Sequence, residues 1–146
     1  MTVCSALVVC AAPAASAATK APRGCPNQTG RVVCVDQIHQ RLWVQQGKKI
    51  IFPAVAVRTG RAGYRTPDGG YRIYLRNKTQ WSYLFNEPMP YSQFFFRSFA
   101  LHGVYQNVRK GGSNGCVNLT SDDAKRLWNV LGKGDLVYIW GHKSGA

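Results

Sequence analysis

A cysteine carries out acyl transfer when three things meet it: a base to take its proton, room for a carbonyl carbon, and N–H groups aimed at the developing oxyanion. Residues 101–119, LHGVYQNVRKGGSNGCVNL, bring those types together. His102-Gly103 comes first, and Cys116 follows 14 positions later (116 − 102) at the end of Ser113-Asn114-Gly115-Cys116. Gly115 permits a tight turn that directs the amides of Asn114, Gly115 and Cys116 toward one point. Taken alone the pattern is suggestive. A lone cysteine is more often a small buried hydrophobe, and a lone histidine a core or surface residue.

Such a pair must be held by regular elements. Short β-branched and aromatic runs (VVCVDQI, RLWVQ, KIIFPAVAV, YRIYLRN, WSYLF, FFFRSFALHG and LVYIW) predict strands on both sides of it. His102 stands at the end of one of them. Residues 59–70, TGRAGYRTPDGG, form a loop of turn-forming types. One helix is predicted just after Cys116. Thr120 supplies a hydroxyl cap, and Asp122 and Asp123 place acids in the first turn. Ala124, Leu127, Trp128 and Leu131 fall on one face, and Gly132 ends it. The expected fold is mostly β, a sandwich or closed sheet with one main helix. That helix start and the glycine turn would together supply positive potential favouring a thiolate at Cys116.

The 146 residues suit one domain, with a polar lead-in at 18–31, a catalytic region at 32–141 and a polar tail at 142–146. Residues 1–19 carry no charge. An apolar stretch ending in Ala15-Ser16-Ala17 reads as a signal peptide over 1–17, although no basic residue precedes Val3; a buried first strand is the alternative. The segment is shorter than the about 20 apolar residues of a membrane span. Cys4 and Cys10 fall in this leader. Of the other three, Cys25 and Cys34 can pair in an oxidising compartment and leave Cys116 free. A zinc site from Cys25, Cys34 and His39 is the rival, but its spacing matches no common zinc module. Nineteen basic against six acidic residues leave a net charge of +13. That attracts polyanions, yet the basic residues (Arg58, Arg61, Arg109 and others) are scattered, and no nucleic-acid-binding signature occurs.

Residues 102–118 resemble the signature of the YkuD-type L,D-transpeptidases: a His-Gly at a strand end, then Ser or Thr, any residue, Gly, Cys, a hydrophobe, and Arg or Asn. His102-Gly103 and Ser113-Asn114-Gly115-Cys116-Val117-Asn118 match it in order. Thr66-Pro67-Asp68-Gly69-Gly70-Tyr71 is similar to the family's TP-x-G loop, with one extra residue, and Met89-Pro90-Tyr91 to its substrate-side segment. Asn114 stands where many members have a second histidine, and Gly103 where some have serine. The resemblance implies a YkuD-like β-sandwich and a secreted enzyme acting on peptidoglycan stem tetrapeptides. Cys116 would be the nucleophile and His102 the base, oriented by the carbonyl of Gly103, with an oxyanion turn at Asn114 and Gly115. Ser113 and Asn118 would contact the stem or brace the turn, and Tyr91, with Tyr105, would line the substrate cleft or pack as a core aromatic. His39 and His142 are expected to be structural or solvated, and Trp81, Trp128 and Trp140 to pack in the core. The implied product is a 3→3 cross-link, with no metal or cofactor; a carbapenem would acylate the same thiol. An L,D-carboxypeptidase using the same residues is the alternative, and a non-catalytic cationic wall-binding module is another. Expected partners are stem peptides and anionic wall polymers, not nucleic acid, with the enzyme a monomer of the cell envelope.

Overall fold

Four consecutive apolar residues, Val32 to Val35, are all fully buried, which requires the strand that carries them to be covered on both faces. Val33 and Val35 point into the main core, and Val32 and Cys34 into a second cluster on the opposite face. The computed structural model describes residues 24–146. The leader at 1–17, with Cys4 and Cys10, and the first part of the lead-in lie outside the described residues.

The elements in chain order are β1 (Arg31–Asp36), β2 (Arg41–Gln46), β3 (Lys49–Ala56), β4 (Gly69–Arg72), β5 (Leu75–Ser82), β6 (Glu87–Phe96), β7 (Phe99–Val104), β8 (Val117–Thr120), α1 (Ser121–Val130) and β9 (Leu136–Trp140). One sheet has the order β3-β2-β1-β9-β4 and the other β5-β6-β7-β8. Both sheets and α1 feed one core: Val33, Val44 and Val137 from the first, Phe95, Leu101 and Leu119 from the second, Ala124 and Leu127 from the helix. Helix α1 starts as its residues dictate. The Thr120 hydroxyl accepts from the Asp123 amide at 3.1 Å, and two acids stand at the positive end. The second cluster, on the outer face of the five-stranded sheet, packs Trp43 edge-on to Trp140 at 5.6 Å. Cys25 joins it through a disulfide to Cys34, which anchors the lead-in against β1. With both sulfurs in that bond, and His39 hydrogen-bonded to Asp36 at 2.8 Å, the zinc alternative loses its ligands.

Three stretches depart from the sequence expectation. YRIYLRN is not one strand but passes from β4 in one sheet to β5 in the other. Ile73 is buried at the crossing, where its amide donates to the Asp135 carbonyl. FFFRSFALHG is a hairpin, folded at Arg97, which adopts a φ of 48°. WSYLF leaves its strand after Ser82, and Tyr83 and Leu84 are exposed in the β5–β6 turn, at 89% and 84%.

Candidate active site

Strands β7 and β8 run parallel, and the ladder sets His102 directly beside Asn118. Leu101 and Val117 therefore face the core, while His102 and Asn118 face outward. Cys116 stands just before β8, two residues before Asn118, and opens onto the same face, since it lines one cleft with His102 and Asn118. A 4.8 Å strand spacing and two residues of rise put the His102 and Cys116 backbones about 8 Å apart on that face, within reach of two converging side chains. Parallel strands need a long connection, and residues 105–116 supply it. The 14-position gap read in the sequence is thus this crossover.

The face opens into a cleft of about 430 Å³ that His102, Cys116, Asn118, Ser113 and Asn114 all line. One wall carries Arg58 and Arg61. The other is the β5–β6 hairpin, with Gln80, Trp81, Ser82, Glu87 and Met89. Trp81, expected to pack in the core, is 40% exposed on this wall, because β5 is an edge strand. Trp128 and Trp140 do pack, Trp128 under the Arg76 guanidinium at 3.8 Å. Tyr91 and Tyr105 do not line the cleft. Tyr105 is exposed beyond β7, and the Tyr91 ring lies 6.0 Å from that of Trp128. Tyr91 has a different role. Its φ of 56° interrupts the alternation of β6, and residues on either side of it, Glu87 and Met89 before and Phe94 after, all reach the cleft.

The protonation state of His102 follows from its neighbours. Arg58 can only donate, and its Nε lies 3.1 Å from one end of the Asn118 side chain, so that end is Oδ1. The other end is then the NH₂ group, which donates to His102 Nε2 at 3.0 Å. Nε2 must carry a lone pair, and the ring proton sits on Nδ1. From the other side, Nδ1 lies 2.8 Å from the Gly103 carbonyl, an acceptor that requires that same proton. Two independent partners therefore dictate one neutral tautomer. His102 is 2% exposed, and this burial pushes its pKa down to about 4; the Gly103 bond opposes the shift and the Arg58 charge adds to it. Burial likewise pushes the Cys116 thiol up to about 11, against a bond from the Ala100 amide and with help from the Glu87 charge. Both shifts favour the uncharged forms, a thiol and an imidazole. The start of α1 adds little toward a thiolate, because β8 separates it from Cys116 and a helix dipole acts only within its first turn.

The turn before Cys116 is pinned from three directions. The Ser113 hydroxyl donates to the Cys116 carbonyl at 2.5 Å and accepts from the Gly115 amide at 3.1 Å. Thr66 donates to the Gly115 carbonyl at 2.8 Å and accepts from the Gly60 amide at 2.9 Å, which gives the TPDGGY loop its function. Arg61 donates to the Asn114 side chain at 2.6 Å. Gly115 has a φ of 116°, and a Cβ there would come within 2.3 Å of the Phe99 ring, so only glycine fits. Ser113 is thereby a brace rather than a free contact, and one of the three expected oxyanion amides, that of Gly115, is already engaged. Asn118 likewise spends both ends of its amide on Arg58 and His102. Arg58 itself is missing from the sequence expectation except as one scattered cation. Its place comes from a two-way backbone bond with Asn118, 60 residues away, which the local sequence does not signal. His142 lies by Asp68 and Arg65, outside the cleft. Among the described residues no cluster of three or more His, Cys, Asp or Glu could hold a metal.

The comparisons agree with this geometry. The family model of the YkuD L,D-transpeptidase catalytic domain matches residues 30–139. Among solved structures, the L,D-transpeptidase of Stackebrandtia nassauensis is 39% identical, with a TM-score of 0.81, covering 84% of this chain and 62% of its own. An L,D-transpeptidase of Mycobacterium smegmatis matches at 12% identity and a TM-score of 0.70, over 77% of this chain and 59% of that one. One from Mycobacterium tuberculosis H37Rv matches at 17% and 0.70, over 77% and 58%; these last two bear on the fold alone. The chain thus spans less than two thirds of each of these proteins. A search of curated proteins finds no match. With its parallel His102–Asn118 ladder, its glycine-pinned cysteine and a family match over three quarters of its length, this chain belongs to the YkuD family of L,D-transpeptidase catalytic domains.

Proposed function

We propose that this protein is a secreted enzyme of the bacterial envelope that forms 3→3 cross-links between peptidoglycan stem peptides through a thioester on Cys116. The observation that carries the reading is the bond chain Arg58–Asn118–His102–Gly103, which keeps the His102 Nε2 lone pair on the face that holds the thiol. In the first half-reaction the Cys116 sulfur attacks the carbonyl of the third residue of a tetrapeptide as Nε2 accepts the thiol proton, displacing the Asn118 amide. The amides of Asn114 and Cys116 stabilise the oxyanion. The bond to D-Ala then breaks, and its nitrogen takes the proton back from His102. In the second half an amine of another stem attacks the thioester and gives its proton to His102, and the sulfur leaves and is reprotonated. One amide is broken and one formed, so the reaction consumes no redox equivalents. The net charge of +13 suits retention on anionic wall polymers.

The test is the intact mass of the protein after incubation with a stem tetrapeptide or a carbapenem. The wild type gains a covalent adduct that maps to Cys116, and Cys116→Ala gains none. An adduct on another residue, or unchanged turnover in Cys116→Ala, refutes the mechanism. Product analysis with and without an amine acceptor separates transfer from hydrolysis.

A further inference from the structure

Glu87 is the one acidic side chain that lines the cleft. The chain has only six acids. Asp36, Asp123 and Asp135 each face an arginine, Asp68 lies beside His142, and Asp122 sits at the positive end of α1. Glu87 is in no ion pair among the described residues, although the opposite wall of its cleft holds two arginines. It is half-buried and, as the first residue of β6, pairs across the ladder with Ser82 at the end of the hairpin. A lone carboxylate in a partly enclosed site is costly unless a cation meets it. It also works against the chemistry, since its charge adds to the rise in the Cys116 pKa. A group that hinders the nucleophile and bonds no protein cation has a ligand to meet.

Its position says which part of the ligand. Met89 packs in the cluster that touches Cys116, and Glu87 is the next residue on the same face of β6, about 7 Å farther along. An acyl group on the Cys116 sulfur starts beside Met89. The side chain of a lysine-like residue extends about 6 Å from its Cα to its terminal nitrogen. We propose that Glu87 receives the distal ammonium of the diamino acid at the third position of the donor stem, which makes it the residue that selects a cationic side chain there. This rests on the acyl-transfer reading above and adds to it a determinant of donor choice. Arg58 and Arg61, across the cleft, favour the carboxylate of the leaving D-Ala.

The experiment is single-turnover acylation, read by intact mass, with two tetrapeptides that differ only in ending with L-lysyl-D-alanine or L-norleucyl-D-alanine. The wild type prefers the lysine peptide by about tenfold or more, the worth of a hydrogen bond to a charged group. In Glu87→Gln that preference collapses to within about twofold, and in Glu87→Lys it inverts. Thermal melts establish that both variants are folded. Equal losses on both peptides would make Glu87 a structural residue and overturn the assignment. Unchanged preference in Glu87→Gln would do the same. So would, in a parallel assay with an added acceptor amine, a loss confined to the transfer step, which would move the carboxylate to the acceptor. If the wild type is acylated by neither peptide, the acyl-transfer reading itself is refuted and this assignment goes with it.

Discussion

The neutral state of the resting pair is open to direct measurement. A thiol that titrates at about 11 is ionised at pH 7 in roughly one molecule in ten thousand. An imidazole that titrates at about 4 is protonated there in roughly one in a thousand. Both shifts disfavour the charged forms, so moving the proton from sulfur to Nε2 with no substrate present is uphill. We expect the proton to leave the thiol as the sulfur forms its bond to carbon. Alkylation by iodoacetamide reads the thiolate fraction, and Cys116 is the free cysteine among the described residues. Its rate should rise about tenfold per pH unit from 6 to 9, with no plateau. Absorbance at 240 nm should stay at the thiol level over the same range. A fast, pH-independent plateau between 5 and 8 would mean a thiolate–imidazolium pair and would refute the assignment of charge.

Other expectations come from the same contacts. The folded pKa of His102, about 4, lies below its ordinary 6.5, so the unfolded chain binds the proton first and stability is full above 6.5. As pH falls from 6.5 to 4 the fold should lose about 3 kcal/mol from this residue, seen as a falling urea midpoint whose slope is reduced in His102→Asn. Asn118→Asp puts an acceptor in place of the NH₂ group that faces Nε2. It should raise the His102 pKa in an NMR titration and cut acylation at pH 7 by about tenfold or more; an unshifted titration would remove Asn118 from the tautomer argument. Gly115→Ala should destabilise by about 2–4 kcal/mol in denaturant melts, from its positive φ and the clash with Phe99. A variant as stable as the wild type would show that the turn can rearrange.

What could be seen from the sequence was what is local. Helix α1 was legible because its cap, acids and apolar stripe lie within a dozen residues. His102 and Cys116 were legible because a glycine and a fixed spacing surround them, and the family resemblance gave that spacing a meaning. The bond partners of the pair were not. Arg58 reaches Asn118 only through an antiparallel bridge between segments 60 positions apart. The split of YRIYLRN between two sheets depends on Asp135, which accepts the buried Ile73 amide from the far end of the chain. Tyr91 looked like a substrate contact because an aromatic after Met-Pro fits either role. Nothing in its type announces the left-handed φ that interrupts the alternation of β6. The upward push on the thiol was not legible for a related reason: burial, its largest cause, is a property of the packed fold.

The pairing of β7 with β8 has a consequence for how the site is built. His102 and Cys116 keep their relation through backbone bonds between the two strands and not through the covalent chain that joins them. Half of that chain, Tyr105 to Asn107 and Arg109 to Gly111, is exposed, while Ser113 is tied to Thr59 and Arg61 by the backbone bonds of a different segment. The base and the nucleophile thus belong to two halves that recognise each other by strand register. A break at residues 109–111 would leave each half with its own complete set of those bonds. New termini placed there by circular permutation, or a binding domain inserted there, would sit at the rim of the cleft without passing through it. The crossover is the natural point at which to couple this catalytic pair to an external signal.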